Sequence, residues 1–326
     1  MHDVEAASAR AAGVLASEAP LPPCPAPYRP REETRGRMIL PFIGGLGDAL
    51  SLEPVLASIH SRHEHLRIDI AATPGPGEVF SCLPAVDDVR PYPLTLEQWG
   101  AYDRYLSLEC VLTTAQRPGR PLPETFADAI GLPLIRRMVH VEVPDAWRSG
   151  APLTDGPAPL VGLAIDDMGS LRAYPAALTA ELIDRLLDAR RVVALLGAQP
   201  PAVTHDVPRR GVIDLRGRTT TVAALARVLL GLDAIVAHDS FVLHLAGALG
   251  LPSIGLFAPT SAHHAEPYPE VRPLASDAPC APCHVAVGTC PKGYGRCLAW
   301  QAPAVSPAAI AQAVQDELMR APRAVA

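Results

Sequence analysis

The sequence predicts an α/β fold in which two halves, each with a parallel sheet, face each other across a cleft. Three observations support this prediction. Short apolar segments alternate with segments of helical length, and this alternation implies right-handed βαβ crossovers and parallel sheets. The 326 residues are enough for two domains of ordinary size. Apolar residues make up 49% of the chain and aromatic residues only 5%, which suits aliphatic strands buried on both faces.

The first half is predicted to hold one sheet, over residues 37–150. Residues 1–36 are rich in proline and charge and show no periodic apolar face, so we expect an extended or disordered tail. Alternating apolar and polar residues near the end of this half indicate a strand at the edge of the sheet. The predicted elements are, in chain order, the strand RMILPFI, the helix ALSLEPVLASIHS, the strand LRIDIAA, the short helix GEVFSCL, the strand DRYLSLE and the edge strand RRMVHVEVP.

The second half, residues 151–326, follows the turn-rich linker DAWRSGAPLTDGPAP and alternates more regularly. Its first helix carries a stripe of leucines on one face. Ser306 before Pro307 is a good N-cap and first-turn pair for the last helix. The predicted elements are the strand PLVGLAI, the helix LTAELIDRLLDAR, the strands RVVALLG and VIDL, the helix TVAALARVLLGL, the strand DAIVAH, the helix SFVLHLAGALG, the strand PSIGLF and the helix AAIAQAVQDEL.

Composition narrows the classes of partner. A net charge of −6 with no block of lysine or arginine argues against nucleic acid, because binding a phosphate backbone needs a concentrated basic surface. No apolar run reaches the ~18–20 residues of a membrane span. The N-terminus lacks the basic start and solid apolar centre of a secretory signal. We therefore expect a cytoplasmic protein without an integral membrane span, and a homo-oligomer is compatible with these features.

The first candidate site is the glycine-rich turn Gly44-Gly45-Leu46-Gly47-Asp48, which follows the first predicted strand. Glycines let a backbone turn sharply and approach a ligand, and the next helix presents free N–H groups to that ligand. The G-x-G-x-x-G spacing of dinucleotide-binding proteins is absent, which disfavours an oxidoreductase. Asp48 stands at the mouth of the helix, where it either caps the helix or accepts a proton from a hydroxyl group.

The second candidate site follows the strand DAIVAH, at Asp239, Ser240 and His244. Asp239 or Ser240 can cap the next helix, whose N-terminus carries a charge of ~+0.5 and suits a pyrophosphate. Ser240 and His244 are four residues apart and share one face of the first turn. For each residue alone, a capped helix with a half-buried histidine is the alternative. Their combination at the carboxyl end of a strand favours a ligand site.

The third candidate site is a cysteine cluster with the spacing C-x2-C-x6-C-x6-C, at Cys280, Cys283, Cys290 and Cys297. The glycines and prolines between them predict a loop without a core of its own, which a cross-link would order. Four thiolates in tight turns fit tetrahedral zinc or iron, and such a filled site leaves no open position for catalysis. The alternative is a set of reduced, partly buried thiols.

Together these motifs resemble glycosyltransferase family 9, the ADP-heptose heptosyltransferases. The resemblance runs from about Met38 to the C-terminal helix and is carried by GGLGDAL, by HDSFVLHLAGALGLPSIGLFAPT and by the cysteines. It implies a GT-B fold, in which two Rossmann-like domains face each other across a cleft. It also implies an inverting sugar transfer without a catalytic metal, with heptose from ADP-heptose as the leading donor. The cysteine cluster resembles that of iron-containing relatives that glycosylate autotransporter proteins.

The resemblance also implies roles for individual residues. Asp48 falls on the family's proposed catalytic base. Arg172, in SLRAYP, matches the basic position that pairs with the donor phosphates. Asp239 matches the residue that holds the donor sugar, and Ser240 and His244 match its neighbours at the phosphates.

Three further positions bear on the donor. Gln199, after the strand RVVALLG, lies where the family contacts the nucleotide base. Phe241 replaces the family's usual glycine and puts bulk where the backbone should approach the donor, and Tyr174 replaces the usual tryptophan. These departures leave an altered donor choice or a loss of activity open.

The predicted function is a glycosyltransferase that acts on a saccharide, protein or natural-product acceptor. The alternative from another class is a catalytically inactive module that binds a nucleotide or a partner protein. A nucleotide-sugar epimerase or hydrolase on the same fold is a further alternative, and such an enzyme would release free sugar without an acceptor.

Overall fold

The protein is built on two parallel β-sheets, and the computed structural model describes residues 36–108, 120–148, 153–154, 156–165, 170–197, 210–285 and 288–320. The strands are β1 (Gly36–Phe42), β2 (Leu66–Ala72), β3 (Asp88–Pro91), β4 (Arg104–Tyr105), β5 (Leu160–Ala164), β6 (Val192–Leu195), β7 (Val212–Asp214), β8 (Ala234–His238), β9 (Ser253–Phe257) and β10 (Val271–Ala275). The helices are α1 (Leu46–Ser51), α2 (Glu53–Arg62), α3 (Pro74–Phe80), α4 (Leu96–Gly100), α5 (Leu122–Ala129), α6 (Asp145–Arg148), α7 (Ala176–Asp188), α8 (Val222–Leu230), α9 (Phe241–Ala248) and α10 (Pro307–Arg320).

The topology of each sheet contains one point at which the strand order reverses. The first sheet runs β3-β2-β1-β4 and the second β10-β9-β8-β5-β6-β7, with parallel pairing throughout. The order reverses between β1 and β4 in the first sheet and between β5 and β8 in the second. Open α/β sheets bind ligands in the crevice at the carboxyl ends of strands at such a point. The glycine turn follows β1, SLRAYP follows β5 and Asp239 follows β8, so all three predicted segments lie at these crevices.

Aliphatic side chains fill both faces of the second sheet. On one face, Val161 and Leu163 of β5 pack with Leu182 of α7 and Ile310 of α10. On the other face, side chains of α8 and α9 join the larger core that extends into the first half of the chain. Strands β5, β8 and β9 are buried along their whole length. This burial confirms the prediction that few aromatic residues and many aliphatic ones indicate strands covered on both sides.

Most of the predicted elements are confirmed, with shifted ends. The helix predicted for ALSLEPVLASIHS divides at Leu52 into α1 and α2, and GEVFSCL contributes to α3. Ser306 caps α10, because its hydroxyl accepts the N–H of Ala309 at 3.3 Å. The short strands β3 and β10 were not predicted. Almost all of the predicted tail and part of the predicted linker lie outside the described residues, although Gly36 already belongs to β1 and α6 begins the linker.

The prediction of an edge strand at RRMVHVEVP is wrong. This segment runs without forming a ladder, because its backbone N–H groups donate to three different parts of the molecule. Val139 donates to the carbonyl of Pro267 at 3.1 Å, His140 to the carboxylate of Glu53 at 3.0 Å and Glu142 to the carbonyl of Cys82 at 3.0 Å. Alternation of apolar and polar residues therefore reflects alternate burial here, and not pairing with a strand.

The two halves of the chain meet where α1 approaches α9. A second contact joins α3 to α8, because the carboxylate of Glu78 accepts the N–H of Val222 at 2.8 Å, the first residue of α8. The bond from Val139 to Pro267 is a third contact. Among the described residues, no helix is long and apolar enough to cross a membrane.

Candidate functional site

Asp48 lies in the first turn of α1 and points its carboxylate back toward the glycine turn. Its Oδ2 accepts the N–H of Gly45, the N-cap residue, at 2.9 Å, so Asp48 makes a helix-capping contact. Burial raises the pKa of Asp48, and the Gly45 N–H and the facing histidines His244 and His264 oppose that rise. A carboxylate with a raised pKa is a better proton acceptor near neutral pH than an ordinary one. Asp48 is therefore suited both to capping and to general-base chemistry.

The glycine turn has a steric reason for two of its glycines, because a Cβ atom on Gly45 would lie 3.2 Å from Oδ2 of Asp48 and one on Gly47 would crowd the second half. Gly44, Gly45 and Gly47 have no left-handed backbone angles, so the turn itself does not demand glycine. A Cβ atom on Gly47, however, would lie 3.3 Å from Cδ2 of His244. The absence of that atom lets α1 pack closely against α9, and the close packing brings Asp48 within electrostatic range of the second half.

Asp239 is the centre of a buried hydrogen-bonded cluster. One carboxylate oxygen lies 2.8 Å from Nδ1 of His264 and the other 3.2 Å from Nε2 of His244. Burial alone would raise the pKa of Asp239, but the two histidines outweigh it and hold the pKa well below its usual range. Burial lowers the pKa of His264, whereas Asp239 and Asp48 raise it, and the net result is a raised pKa. The cluster therefore favours an ionised Asp239 beside a protonated His264.

The N-terminus of α9 lies beside this cluster and has no side-chain cap. The hydroxyl of Ser240, at the N-cap position, donates to the carbonyl of His238 at 3.1 Å and makes no capping bond to the helix. The first-turn N–H groups of α9 thus keep their capacity to bind an anion. Phe241, the first helical residue, is partly buried and packs against the apolar core.

Arg172, which follows β5 in the chain, contacts the residue at the centre of the same cluster. Its Nη1 donates to the backbone carbonyl of Asp239 at 2.8 Å, and its backbone N–H and Nε donate to the hydroxyl of Ser170 at 3.1 and 3.3 Å. A guanidinium presents its donors in a fork that suits phosphate oxygens. Two separately predicted segments therefore share one site: SLRAYP contributes Arg172, and HDSFVLH contributes Asp239, Ser240 and His244.

Two functional candidates were missed by sequence reasoning, and one predicted residue lies outside the described residues. Gln199 falls in the stretch between residues 197 and 210, so its prediction is not tested. His264 was missed because it lies in a 3-10 turn 25 residues beyond Asp239 and belongs to no motif. Arg216 was also missed. It is buried and paired with Asp214 through Nε and Nη2 at 2.9 and 2.8 Å, and a charged residue two positions after the end of β7 was the available signal.

The four predicted metal ligands lie on one loop of the second half. None of them forms a disulfide; Cys280 is exposed and Cys283, Cys290 and Cys297 are partly exposed. Burial raises the pKa of Cys297, and the three other thiols add to that rise. Four thiols are a donor set that zinc and iron prefer. Among the described residues, no group of three or more His, Cys, Asp or Glu side chains is arranged to hold a metal ion, so the metal site stays a prediction.

Two sequence comparisons find a likeness to heptosyltransferases over part of the chain. Residues 140–293, just under half of the chain, match the family model described as glycosyltransferase family 9 (heptosyltransferase). A 64-residue segment is 44% identical to lipopolysaccharide heptosyltransferase 1 of Pseudomonas aeruginosa. That segment covers 19% of this chain and only 18% of the relative.

Solved structures match over far more of the chain. A family 9 glycosyl transferase from Veillonella parvula is 16% identical with a TM-score of 0.67, over 89% of this chain and 99% of that one. The dodecameric iron-containing heptosyltransferase TibC, from enterotoxigenic Escherichia coli and solved with ADP-D-β-D-heptose, is 13% identical with a TM-score of 0.64, over 88% and 77%. At such identities the likeness establishes the fold. The chain therefore has the GT-B fold of these heptosyltransferases, and its residues 140–293 match glycosyltransferase family 9.

Proposed function

We propose that this chain is an inverting glycosyltransferase, which moves heptose from ADP-heptose to an acceptor hydroxyl without a catalytic metal. The observation that carries the proposal is the position of Asp48 opposite the Asp239–His264 pair, where α1 of one half meets α9 of the other. The family match over residues 140–293 includes Asp239 and His264. The donor is proposed because the solved relative TibC binds ADP-D-β-D-heptose.

Asp48 is proposed to act as the general base. As the acceptor oxygen attacks the anomeric carbon, its proton moves to the Asp48 carboxylate. The new carbon–oxygen bond forms on the face opposite the departing diphosphate, so the bond from the anomeric carbon to the phosphate oxygen breaks with inversion. Burial raises the pKa of Asp48, which strengthens it as a proton acceptor.

The departing diphosphate gains negative charge, and we propose that three positive groups stabilise it. These are the guanidinium of Arg172, the N-terminal N–H groups of α9 and a protonated His264. Both carboxylate oxygens of Asp239 contact histidines. Asp239 therefore serves mainly to orient His264 and His244, and a donor-sugar hydroxyl would share one of its oxygens.

Calorimetric titration of the purified protein with ADP, UDP, GDP and ADP-heptose tests the donor site. We expect selective binding of ADP and ADP-heptose, and at least tenfold weaker binding in Asp239→Ala, because that change removes the partner that keeps His264 positively charged. A thermal melt of Asp239→Ala serves as the control for folding. No binding by any nucleotide would contradict the proposal. Donor binding without transfer to any acceptor would instead support the catalytically inactive module.

We further infer that the four-cysteine loop holds a structural zinc or iron ion in the cell. The donor chemistry of the four thiols and the iron in TibC support this inference. Elemental analysis of protein purified without chelators should find about one metal ion per chain. Cys280→Ser with Cys283→Ser should remove it, whereas Cys82→Ala, at a buried cysteine of the first half, should not. A metal-free wild-type protein would contradict this inference.

A further inference from the structure

The angle of the His244 imidazole in the site is not fixed by hydrogen bonds. Its Nε2 lies 3.2 Å from one carboxylate oxygen of Asp239, which is longer than a strong charge-assisted hydrogen bond. Its Nδ1 is buried and has no hydrogen-bond partner among the described residues. The ring is therefore free to tilt about its one polar contact unless neighbouring groups pack against it.

Two surfaces pack against this ring, one from each half of the chain. The first is Gly47 of α1, where a Cβ atom would lie 3.3 Å from Cδ2 of His244. The second is the phenol ring of Tyr268, whose centroid lies 5.1 Å from that of the imidazole at an interplanar angle of 46°. Aromatic rings at this separation are in direct contact. Packing of this kind fixes the rotamer of a side chain that hydrogen bonds leave loose.

Tyr268 is itself held rigidly in the second half. Its side chain is buried. Its N–H donates to the carbonyl of Ala265 at 2.9 Å, and its own carbonyl accepts the N–H of Val271 at 3.0 Å. Gly247 of α9 leaves the space for its side chain, because a Cβ atom there would lie 2.7 Å from the Cβ atom of Tyr268. The tyrosine ring is therefore a fixed surface against which His244 packs.

The same tyrosine lies at the junction of the two halves. The preceding carbonyl, of Pro267, accepts the N–H of Val139 from the first half at 3.1 Å. Burial raises the pKa of Tyr268, and the hydroxyl of Ser51 on α1 opposes that rise. The Tyr268 hydroxyl nevertheless makes no hydrogen bond of ordinary geometry among the described residues. Because a buried hydroxyl without such a bond does not stabilise a fold, we assign the role of this side chain to its ring.

We propose that Tyr268 is a positioning residue for the transfer reaction, and that its ring holds the His244 imidazole against Gly47 with Nε2 directed at Asp239. The inference rests on the proposed function, in which this histidine and this aspartate belong to the site. Since His244 contacts α1, the tyrosine also sets how the pair lies relative to Asp48 on that helix. A misplacement of about 1 Å can cost ~10²-fold in rate, so a buried ring can control turnover without touching substrate.

A double-mutant cycle on turnover tests whether Tyr268 acts through His244. Tyr268→Leu removes the ring, and we expect kcat to fall about 10–100-fold. In the His244→Ala background the same change should have almost no effect, because the group that the ring positions is already gone. Tyr268→Phe keeps the ring and should keep the kcat of the wild type. Phe126→Leu, at a buried aromatic residue of α5, is the control for the loss of a ring elsewhere and should leave kcat unchanged.

Proton NMR of the imidazole reads the same contact without any transfer reaction. An aromatic ring shifts the resonances of the protons that it packs against, and the resonances of His244 are assigned by their disappearance in His244→Ala. They should move in Tyr268→Leu and stay in place in Phe126→Leu. Gly247→Ala is the milder variant, whose added Cβ atom displaces the tyrosine ring, and it should move them even if Tyr268→Leu does not fold.

The outcomes separate this inference from the function on which it rests. Equal losses of kcat in the two backgrounds would overturn the inference, because Tyr268 would then act independently of His244. An unchanged kcat in Tyr268→Leu, or an equal loss in Tyr268→Phe, would also overturn it and leave the proposed function standing. A wild type that transfers no sugar would contradict the proposed function instead. Shifted imidazole resonances would then still support the packing role of Tyr268, and unshifted ones would overturn it.

Discussion

At the scale of single residues, charged groups on the two halves of the chain shift the pKa values of one another. Asp48 lies on α1, while Asp239, His244 and His264 face it from the second half. His264 lowers the pKa of Asp48, and Asp48 raises the pKa of His264. Each group therefore favours the charged form of the other, with the proposed base on one half and the proposed cation on the other.

This coupling predicts a specific pH dependence of transfer. A general base must be ionised, so kcat/KM falls as pH drops through the pKa of Asp48. Burial raises that pKa, so the fall should occur at a higher pH than the ~3.9 of an ordinary aspartate. In His264→Asn the imidazolium is lost, the pKa of Asp48 rises further, and the acidic limb of the kcat/KM profile should move to still higher pH.

The pH profile separates this role of His264 from a purely structural one. A structural defect would lower kcat/KM by the same factor at every pH, and such a result would contradict the coupling. His263→Asn is the matched control, because His263 is the neighbouring, more exposed histidine and pairs with Glu266 instead of Asp239. Its profile should keep the acidic limb of the wild type.

Sequence reasoning could predict residues of the site only where a local motif identified them. Asp48, Asp239, Ser240 and His244 follow strands or begin helices, and these positions indicate ligand sites in α/β proteins. His264 reaches the site through a 3-10 turn, and its distance along the chain from any motif concealed it. Tertiary packing also determines that Asp48 is both a cap and a partly buried acid, because α9 packs against α1 and contributes to that burial.

At the scale of the elements, periodicity predicted those segments whose burial is set by one sheet. Strands β5, β8 and β9 and helices α7 and α9 were found because their apolar patterns match burial on a sheet. RRMVHVEVP failed because its apolar residues are buried by different neighbours in turn. A pattern of alternation cannot distinguish these two sources of burial.

The same segment carries a stabilising ion pair that can be measured. Both terminal nitrogens of Arg136 contact the carboxylate of Glu53, which is fully buried in α2. Arg136→Ala leaves that carboxylate without its cation, and we expect the free energy of unfolding to fall by about 3 kcal/mol. Arg137→Ala, which removes an exposed arginine paired with Glu124, should cost less than ~1 kcal/mol. Urea denaturation checks both values, and equal losses would contradict the assigned role of Arg136.

At the scale of the whole molecule, the proposed function requires both halves at once. The glycine turn follows the reversal point of one sheet, and Arg172 and Asp239 lie at that of the other. The close approach of α1 to α9, which Gly47 permits, joins the two crevices. The sequence predicted two parallel sheets and the segments at their crevices, while the close contact between the halves became visible only in three dimensions. The cytoplasmic location and the acceptor class stay predictions.

The central claim is that Asp48 deprotonates the acceptor while the second half holds the donor. The most direct measurement is acceptor-dependent release of ADP from ADP-heptose by the wild type and by Asp48→Asn, with donor affinity measured in parallel. We predict that Asp48→Asn keeps the donor affinity of the wild type and loses 10²–10⁴-fold in turnover, the usual contribution of a general base. Undiminished turnover by Asp48→Asn would contradict the claim.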